Sequence, residues 1–399
     1  MNVTLYKSNP KGTVYAPPSK SYTHRYLIAA MLSNDICKIS NIYLSDDIKA
    51  TLNCLASFGC TYKIVNNNVI IENTNKYNNN PVFDCNESGS TLRFFIPIVL
   101  TKYEKVIFKG TNRLITRGLS VYEEIFKKQN IKLIKEDNQI TIIGRLKSDT
   151  FLIDNSSSSQ YVTGLLFALP LLDKDSVIKL TSKNSMSYVD ITLDVLHKFN
   201  IKYKIEDNQI YIYGNQKYRA IDTYVEGDYS NAAFLKAFNY LNGNVNVLNL
   251  KIDSYQGDKV FEKYFNILSK RNDIIDISNC IDLAPVLFAF SSLFYGATFT
   301  GTNRLKIKES DRANAMALEL KKVNVNVEIL DDKVIVHKGT ISALKEPFSS
   351  HNDHRIVMAL SLFSSIMDIK INDIKAINKS YPNYFKVLES LGVRLTYEN

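Results

Sequence analysis

The 399-residue sequence lacks the features that mark membrane-spanning and secreted proteins. No apolar run approaches the roughly 20 residues needed to cross a bilayer, and the first residues, MNVTLYKSNPKG, have no apolar core of the signal-peptide kind. The five cysteines form no CxxC pair and are odd in number, which indicates free thiols in a reducing compartment. We therefore expect a soluble, cytoplasmic protein.

The chain also lacks a concentrated run of one charge. Lys and Arg number 49 against 40 Asp and Glu, a formal net charge of +9, which suits an anionic partner such as a phosphate ester, a nucleic acid or a membrane surface. Because the excess is spread along the chain, the pattern argues against nucleic acid. The length allows two or three domains.

One pattern, a helical stretch followed by a β-hairpin, recurs along the chain. Three copies start 70 residues apart, and each alternates apolar and polar residues on both sides of an Asn or Asp-Asn turn: TYKIVNNNVIIE from Thr61, IKLIKEDNQITIIG from Ile131 and IKYKIEDNQIYIYG from Ile201. The second half of the chain holds a clean copy from Ala313, a degenerate copy from Val260 and one from Tyr384 that stops after a single strand. The repeats predict six units, three and three.

The N-terminal segment MNVTLYK alternates in the same way and has no partner of its own. We infer that it supplies the strand that the last copy lacks. The chain then starts in one domain, builds three units of a second and returns. With crossings near Gly12–Pro18 and near Val225–Asp228, residues 1–14 and 227–399 form one predicted domain and residues 15–226 the other.

Five polar segments lie at predicted helix starts. They are PPSKSYTHR (17–25), CNESGSTLRFF (85–95), NSSSSQYVTGLLFALPLL (155–172), LKIKESDRANAMALEL (305–320) and SSHNDHRIVMALSLF (349–363). Singly, each has a plainer interpretation as a capped helix, a serine linker or a solvated charge run. The second lacks the P-loop lysine pattern, and the histidines of the fifth have no further ligand cluster for a metal. Together, five helix starts that converge would make a strong anion site.

These motifs resemble the family of 5-enolpyruvylshikimate-3-phosphate synthases over nearly the full chain. The matching segments occur in the family's order and spacing: PSKSYTHR, ESGSTLR, NRLITRG, SSQYVTGLL, SMSYVDIT, VEGDYSNAAF, IDLAPVLFAF, KESDR, NDHR and KSYPNYF. No single segment is specific, but the set is. The resemblance implies an α/β (α+β) fold of two domains, each with three βαβαββ units around a pseudo-threefold axis, and an active site in the cleft between them.

The resemblance also implies a reaction of the shikimate pathway, which leads to chorismate and the aromatic amino acids. The 5-hydroxyl of shikimate 3-phosphate attacks C2 of phosphoenolpyruvate while C3 is protonated, and phosphate leaves the resulting ketal as a C3 proton is lost. This chemistry needs an acid, a base and cations for a carboxylate and a phosphate, but no metal or organic cofactor. The implied partners are these two substrates, without nucleic acid or membrane, and a monomer is expected.

The family's site residues carry over to matching positions. The implied catalytic residues are Asp282, the base for the 5-hydroxyl, Glu309, the acid for C3, and Lys20, which lies between both substrates. The implied phosphoenolpyruvate contacts are Lys20, Gly89, Arg117, Gln160, Arg312, His354, Arg355 and Lys379. The implied shikimate 3-phosphate contacts are Lys20, Ser21, Arg25, Ser158, Ser159, Gln160, Ser185, Tyr188, Asp282 and Lys308. Glu87 and Arg304 stand where other members have Asn, and we expect both to change affinities rather than the chemistry.

Three alternatives remain open at the level of the sequence. A UDP-N-acetylglucosamine enolpyruvyl transferase shares the fold and the chemistry, but usually carries a loop cysteine that the corresponding region, 111–120, lacks. An RNA-phosphate-processing enzyme of related architecture is more distant. A basic nucleic-acid-binding module would show strong, salt-dependent affinity, and it leaves the carboxylates among the arginines unexplained.

Overall fold

The structure is a computed structural model that describes residues 1–74, 81–154, 158–182 and 186–398. The chain forms two compact units, a terminal unit of Met1–Pro17 with Gly227–Asn399 and a central unit of Pro18–Glu226. The first crossing falls at Pro17 because Tyr15 still pairs with Leu248 of the terminal unit. The predicted assignment of 1–14 with 227–399, and of 15–226, to two domains stays a prediction.

The terminal unit starts with two strands, β1 (Asn2–Leu5) and β2 (Lys11–Tyr15). The helices of the central unit are α1 (Lys20–Leu32), α2 (Asp46–Phe58), α3 (Gly89–Leu100), α4 (Asn112–Thr116), α5 (Ser120–Gln129), α6 (Ser159–Ala168) and α7 (Met186–Lys198). Its strands are β3 (Cys37–Ser40), β4 (Cys60–Val65), β5 (Asn68–Asn73), β6 (Val82–Asp84), β7 (Lys105–Lys109), β8 (Lys132–Glu136), β9 (Gln139–Ile143), β10 (Thr150–Ile153), β11 (Ser176–Leu180), β12 (Tyr203–Glu206), β13 (Gln209–Ile212) and β14 (Thr223–Tyr224).

The chain then completes the terminal unit. The helices are α8 (Tyr229–Lys236), α9 (Phe261–Leu268), α10 (Ala284–Ser292), α11 (Arg312–Lys321), α12 (His354–Leu360) and α13 (Tyr384–Ser390). The strands are β15 (Asn244–Leu248), β16 (Ile274–Asp276), β17 (Ala297–Thr300), β18 (Val327–Leu330), β19 (Lys333–Val336), β20 (Phe348–Ser349), β21 (Ile369–Asn372) and β22 (Leu395–Glu398). Short 3-10 helices lie at Ile281–Leu283, Asn303–Ile307 and Ile374–Lys379, before α10, α11 and α13.

One sheet topology recurs in both units. The strand orders are β14-β3-β5-β4, β6-β7-β9-β8, β10-β11-β13-β12, β16-β17-β19-β18 and β20-β21-β1-β22. In each sheet the first two strands run parallel, and an antiparallel pair follows, which is a hairpin in every one of these sheets except the last. The hairpins predicted from Thr61, Ile131, Ile201 and Ala313 are confirmed, since alternating residues around a two-residue Asn or Asp turn specify this pairing.

The N-terminal strand completes the last sheet, which confirms that inference. β1 pairs antiparallel with both β21 and β22, and Val3 and Leu5 on its inner face are fully buried. The copy from Val260 departs from the pattern, because its strand β16 pairs in parallel with β17 of the following sheet instead of forming a hairpin. The sheet of that unit is reduced to β2 and β15.

Each unit has a core built around helices that are apolar on nearly all sides. All residues of α10, and all of α6 except Gln160, are buried, as expected for a helix that is hydrophobic all round. α6 packs on α3 and α7, whereas α10 packs on α11 and α12. The polar segments at the starts of these helices are therefore held by the core of their own unit. No helix of the described residues is long and apolar enough to span a membrane.

Asparagine and aspartate occupy nearly all of the described non-glycine positions with a left-handed backbone. Of the 14 described non-glycine residues with positive φ, all except His351 are Asn or Asp. Their short polar side chains bond locally, which lowers the cost of this conformation. Asn130, the C-cap of α5 at φ 56°, is typical of the set.

We predict that Asn130→Ala lowers the free energy of unfolding by about 1 kcal/mol, because alanine has no polar side chain whose local hydrogen bonds offset the cost of a left-handed backbone. Asn130→Gly should keep or raise the stability, since glycine adopts positive φ freely. Urea unfolding measures both, with the exposed Lys128→Ala as a control expected to stay within about 0.5 kcal/mol. Equal losses in the alanine and glycine variants would contradict the prediction.

Candidate active site

The residues predicted for the site fall into two groups, one in each unit. The central group consists of Lys20, Ser21, Arg25, Gly89, Arg117, Ser158, Ser159, Gln160 and Tyr188. The terminal group consists of Asp282, Lys308, Glu309, Arg312, His354, Arg355 and Lys379. Ser185 lies outside the described residues. All five polar segments stand at helix starts, as predicted.

Lys20 opens α1 and makes an ion pair across to α2. Ser19 caps the helix by accepting from the backbone N–H of Tyr22. Lys20 Nζ lies 2.8 Å from Asp47 Oδ2, and both side chains are about 85% buried, with relative exposures of 15% and 14%. Asp47 was not among the predicted site residues, because an acidic residue in the first turn of a helix is already accounted for by the helix dipole.

Arg25 ties α1 to α6 and α7. Its guanidinium donates to Thr192 Oγ1 at 2.8 Å, Thr163 Oγ1 at 3.2 Å and the carbonyls of Ser21 at 2.8 Å and Tyr188 at 3.0 Å. Burial lowers its pKa to about 10, so Arg25 is still a cation at neutral pH. The structure thus gives Arg25 a positioning role for Ser21 and Tyr188, and its contact with shikimate 3-phosphate stays a prediction.

Gly89 leaves room for two arginines at the start of α3. Ser88 caps this helix through the N–H of Thr91 at 3.2 Å. A Cβ on Gly89 would lie 2.8 Å from Arg93 Nη1 and 3.1 Å from Arg117 Nη1. A side chain at this position would therefore push on both guanidinium groups.

Arg93 fixes the orientation of the Gln160 amide. Arg93 Nη1 donates to Gln160 Oε1 at 2.9 Å, and Gln160 Nε2 donates to Ser90 Oγ at 3.0 Å. Arg93 Nη2 also donates to the carbonyl of Gly118 at 3.2 Å, next to Arg117. The sequence did not reveal this role, because Arg93 is embedded in an apolar helix.

The serines at the start of α6 complete the central group. Ser158 caps the helix, since its Oγ accepts from the N–H of Gln160 at 3.2 Å. Ser159 is buried in the first turn.

Asp282 is the centre of the terminal group. One of its carboxylate oxygens accepts from Lys308 Nζ at 3.1 Å and Arg312 Nη1 at 2.8 Å, and the other accepts from Arg355 Nη2 at 3.0 Å. Three cations from two polar segments, 305–320 and 349–363, therefore share one carboxylate. Such a group can compensate an anion and exchange a proton in the same place.

Arg312 joins that centre to two further carboxylates. It is 1% exposed, and it donates to Glu309 Oε2 at 2.7 Å and Asp353 Oδ2 at 2.8 Å. Burial alone would lower the pKa of Arg312, but Asp353, Glu309 and Asp282 outweigh burial and raise the pKa above its ordinary range. Asp353 also caps α12 by accepting from the N–H of Arg355 at 2.9 Å.

Lys308 of the terminal group and the nearby carboxyl of Asp258 have pKa values near neutrality. Burial, with the charges of Arg312 and Arg304, lowers the pKa of Lys308 to about 8. Burial, with the charge of Asp282, raises the pKa of Asp258 to about 7. Asp258 is 4% exposed and accepts from Ser230 Oγ, and its Oδ1 has no hydrogen-bond partner among the described residues. Sequence reasoning missed this carboxyl.

His354 and Lys379 lie on the α12 side of the terminal group. His354 is fully buried, with Nδ1 3.8 Å from Asp353 Oδ1. Lys379 Nζ donates to the carbonyl of Asn352 at 2.6 Å.

Arg304, one of the two positions where other family members have Asn, is buried and donates to the carbonyl of Ser278. Across the described part of the chain, no three His, Cys, Asp or Glu residues are grouped so as to hold a metal ion.

The fold is that of the enolpyruvyl transferases. The structure of the EPSP synthase from Acinetobacter baumannii matches with a TM-score of 0.78 and 20% identity, covering 99% of this chain and 100% of that one. The enolpyruvyl transferase NikO from Streptomyces tendae matches with a TM-score of 0.77 and 10% identity, covering 99% and 98%. At these identities the likeness concerns the fold alone, and it confirms the predicted fold class.

Sequence comparison defines the family. Residues 6–388 match the family model described as EPSP synthase (3-phosphoshikimate 1-carboxyvinyltransferase). The 3-phosphoshikimate 1-carboxyvinyltransferase of Clostridium perfringens is 39% identical over 98% of this chain and 98% of its own length. That of Clostridium kluyveri is 40% identical over 98% and 97%. The chain belongs to the EPSP synthase family, which confirms the predicted resemblance.

The lowered pKa of Lys308 predicts a specific dependence of stability on pH. Between about 8 in the folded state and about 10.4 in the unfolded chain, the unfolded state binds more protons, so stability rises with pH in that window. We expect the unfolding free energy of the wild type to rise between pH 8 and 10 relative to Lys308→Met. Lys306→Met, which removes an exposed lysine two residues earlier in the chain, is the control. If the difference in unfolding free energy between the wild type and Lys308→Met stays constant from pH 8 to 10, the prediction is wrong.

Proposed function

We propose that this protein transfers the enolpyruvyl group of phosphoenolpyruvate to the 5-hydroxyl of shikimate 3-phosphate and releases phosphate. The observation that carries the proposal is the arrangement of Asp282 and Glu309 around the buried guanidinium of Arg312, with two further cations on Asp282. Relatives named 3-phosphoshikimate 1-carboxyvinyltransferase at about 39% identity support the choice of substrates. The reaction belongs to the shikimate pathway of aromatic amino-acid biosynthesis.

In this proposal the terminal group supplies the proton chemistry. Asp282 accepts the proton of the 5-hydroxyl as the oxygen attacks C2, and Glu309 delivers a proton to C3. Phosphate then leaves the ketal, and a C3 proton is lost. Arg312, Arg355, Lys379 and His354 bind phosphoenolpyruvate, since guanidinium groups suit carboxylate and phosphate oxygens, and Lys308 binds shikimate 3-phosphate.

The central group binds both substrates without supplying the acid or the base. Lys20, Gly89, Arg117 and Gln160 are assigned to phosphoenolpyruvate. Lys20, Ser21, Arg25, Ser158, Ser159, Gln160, Ser185 and Tyr188 are assigned to shikimate 3-phosphate. The shared bonds of Gln160 with Arg93 and Ser90 support its role, because a fixed amide presents its polar atoms in one orientation.

A bound anion changes the balance of charge in the terminal group. A phosphate or carboxylate competes with Asp282, Glu309 and Asp353 for the same N–H groups of Arg312 and Arg355. It also disfavours the ionised form of a neighbouring carboxylate, because like charges repel. Phosphoenolpyruvate thus helps Glu309 to hold the proton that it donates, and it releases Asp282 to act on the hydroxyl.

Release of inorganic phosphate tests the function directly. We expect release from phosphoenolpyruvate with shikimate 3-phosphate, without a nucleotide and in the presence of a chelator. UDP-N-acetylglucosamine in place of shikimate 3-phosphate is the control for the related transferase. Release only with the nucleotide sugar, or loss on chelation that a divalent ion restores, contradicts the proposal. A cytoplasmic monomer is part of the same proposal, and a larger species in sedimentation would oppose it.

The two carboxylates should fail at different steps. Glu309→Gln is expected to lower the exchange of the C3 hydrogens of phosphoenolpyruvate with solvent by at least about 100-fold, the usual contribution of a general acid. Asp282→Asn should still bind both substrates but form no ketal. Deuterium incorporation during turnover in heavy water and calorimetric binding measure the two effects.

The exposed Glu346→Gln is the matched control and should behave as the wild type. Exchange at the wild-type rate in Glu309→Gln would assign the proton to another residue, with Lys20 and Lys379 as the next candidates.

A further inference from the structure

A turn with unusual backbone geometry precedes α12. His351 and Asn352 have φ values of 48° and 54°, two consecutive left-handed residues without a glycine. L-residues usually visit this conformation singly. Consecutive left-handed residues persist only where the surroundings hold them in place.

Glu319 on α11 holds this turn and the strand that leads into it. Its carboxylate is 1% exposed. Oε1 lies 2.7 Å from His351 Nε2, and Oε2 accepts from the N–H of Ser349 at 2.8 Å and from Lys322 Nζ at 2.8 Å. Because an ionised carboxylate only accepts, His351 Nε2 carries the proton of that bond.

The charge of Glu319 is stable at this position. Burial alone would raise the pKa of Glu319, but His351, Lys322 and the N–H of Ser349 outweigh burial and lower the pKa. Lys322 Nζ also donates to the carbonyl of Pro347 at 2.9 Å. Lys322 thus clamps the strand, whereas the bond to His351 reaches into the turn itself.

The turn is connected to the terminal group on its other side. The carbonyl of Asn352 accepts from Lys379 Nζ at 2.6 Å. Asp353, the next residue, accepts from Arg312 Nε and caps α12. The direction of the Asn352 carbonyl depends on the backbone conformation of the turn. The hydrogen bond that His351 donates to Glu319 therefore helps to fix the position of the oxygen that accepts from Lys379.

We propose that Glu319 is a positioning residue that acts through His351: it fixes the left-handed turn so that the Asn352 carbonyl holds Lys379 where its amine binds phosphoenolpyruvate. This inference rests on the proposed function for the role of Lys379. The effect is specific to one substrate, because Lys379 is assigned to phosphoenolpyruvate. A simple structural role would lower the affinity for both substrates together with stability.

The variant His351→Asn removes the hydrogen bond to Glu319, because the asparagine side chain is too short to reach that carboxylate. It adds little backbone strain, since asparagine tolerates positive φ. We expect KM for phosphoenolpyruvate to rise about 5- to 10-fold, the effect of losing one hydrogen bond of typical strength. KM for shikimate 3-phosphate should stay within about twofold of the wild type. His337→Asn is the matched control, since His337 makes the same kind of bond to Glu328 at 2.6 Å on an exposed hairpin.

A double-mutant cycle with Lys379→Ala decides whether the effect passes through Lys379. In the Lys379→Ala background, His351→Asn should raise KM for phosphoenolpyruvate by less than about twofold, because coupled residues are non-additive. Additive effects, or equal rises in KM for both substrates, overturn the proposal. Glu319→Gln should reproduce the His351→Asn result, and an unchanged KM there also overturns it.

Amide hydrogen exchange separates this inference from the proposed function. Exchange at residues 352–355 should be faster in His351→Asn and Glu319→Gln than in the wild type, without substrate and independently of activity. Unchanged exchange overturns the role of Glu319 in the turn. If the wild type releases no phosphate from phosphoenolpyruvate, the proposed function and the Lys379 step fail, and the exchange result still decides whether Glu319 fixes the turn.

Discussion

Arg312 divides its N–H groups among Asp282, Glu309 and Asp353, and the terminal group is organised around that division. The three acceptors lie at the starts of three helices, so one buried guanidinium fixes the relative positions of α10, α11 and α12. Removing one partner of a buried charge pair costs about 3–5 kcal/mol, because the remaining charge is left uncompensated. Loss of Arg312 would leave three carboxylates near one another. A neutral residue of similar volume cannot replace it.

The central unit uses buried arginines in a different way. Arg25 and Arg93 also tie helix starts together, but their acceptors are hydroxyl, amide and carbonyl oxygens rather than carboxylates. Neutral acceptors leave the positive charge uncompensated, which suits the binding of an anion. Carboxylate acceptors compensate the charge and can also take up a proton. In the proposed function both groups bind anions, and the terminal group, whose arginines share carboxylates, also carries out the proton transfer.

The sequence predicted the repeated architecture well because its signal is local. Alternation around an Asn or Asp turn marks each hairpin, and the unpaired MNVTLYK segment indicated the strand that completes the last sheet. The copy from Val260 was harder to interpret, since a three-residue strand such as β16 carries too little pattern to assign its partner. Helix starts were likewise visible from caps and small polar residues.

The side chains that support the site were not predictable in this way. Arg93 lies in an apolar helix, and Glu319 is one more charged residue along α11, so neither stands out from its neighbours. Asp47 and Asp258 gain their importance from residues that are distant in the chain, Lys20 and Asp282. Such pairings depend on packing between helices, which the spacing of residues along a single chain does not specify. The resemblance named the residues expected to touch substrate, but not those that hold them in place.

The pKa values of Asp258 and Lys308 follow from the same crowding of charge. Two like charges 4 Å apart repel each other by about 4 kcal/mol at an effective dielectric constant near 20. In a buried cluster this repulsion shifts the pKa values of the groups that can become neutral. Burial and Asp282 raise the pKa of Asp258 to about 7, whereas burial and the neighbouring arginines lower that of Lys308 to about 8. The cluster can therefore change its proton content near neutral pH at little energetic cost. Because like charges repel, a negative charge that arrives beside Asp258 would favour the protonated form of its carboxyl group.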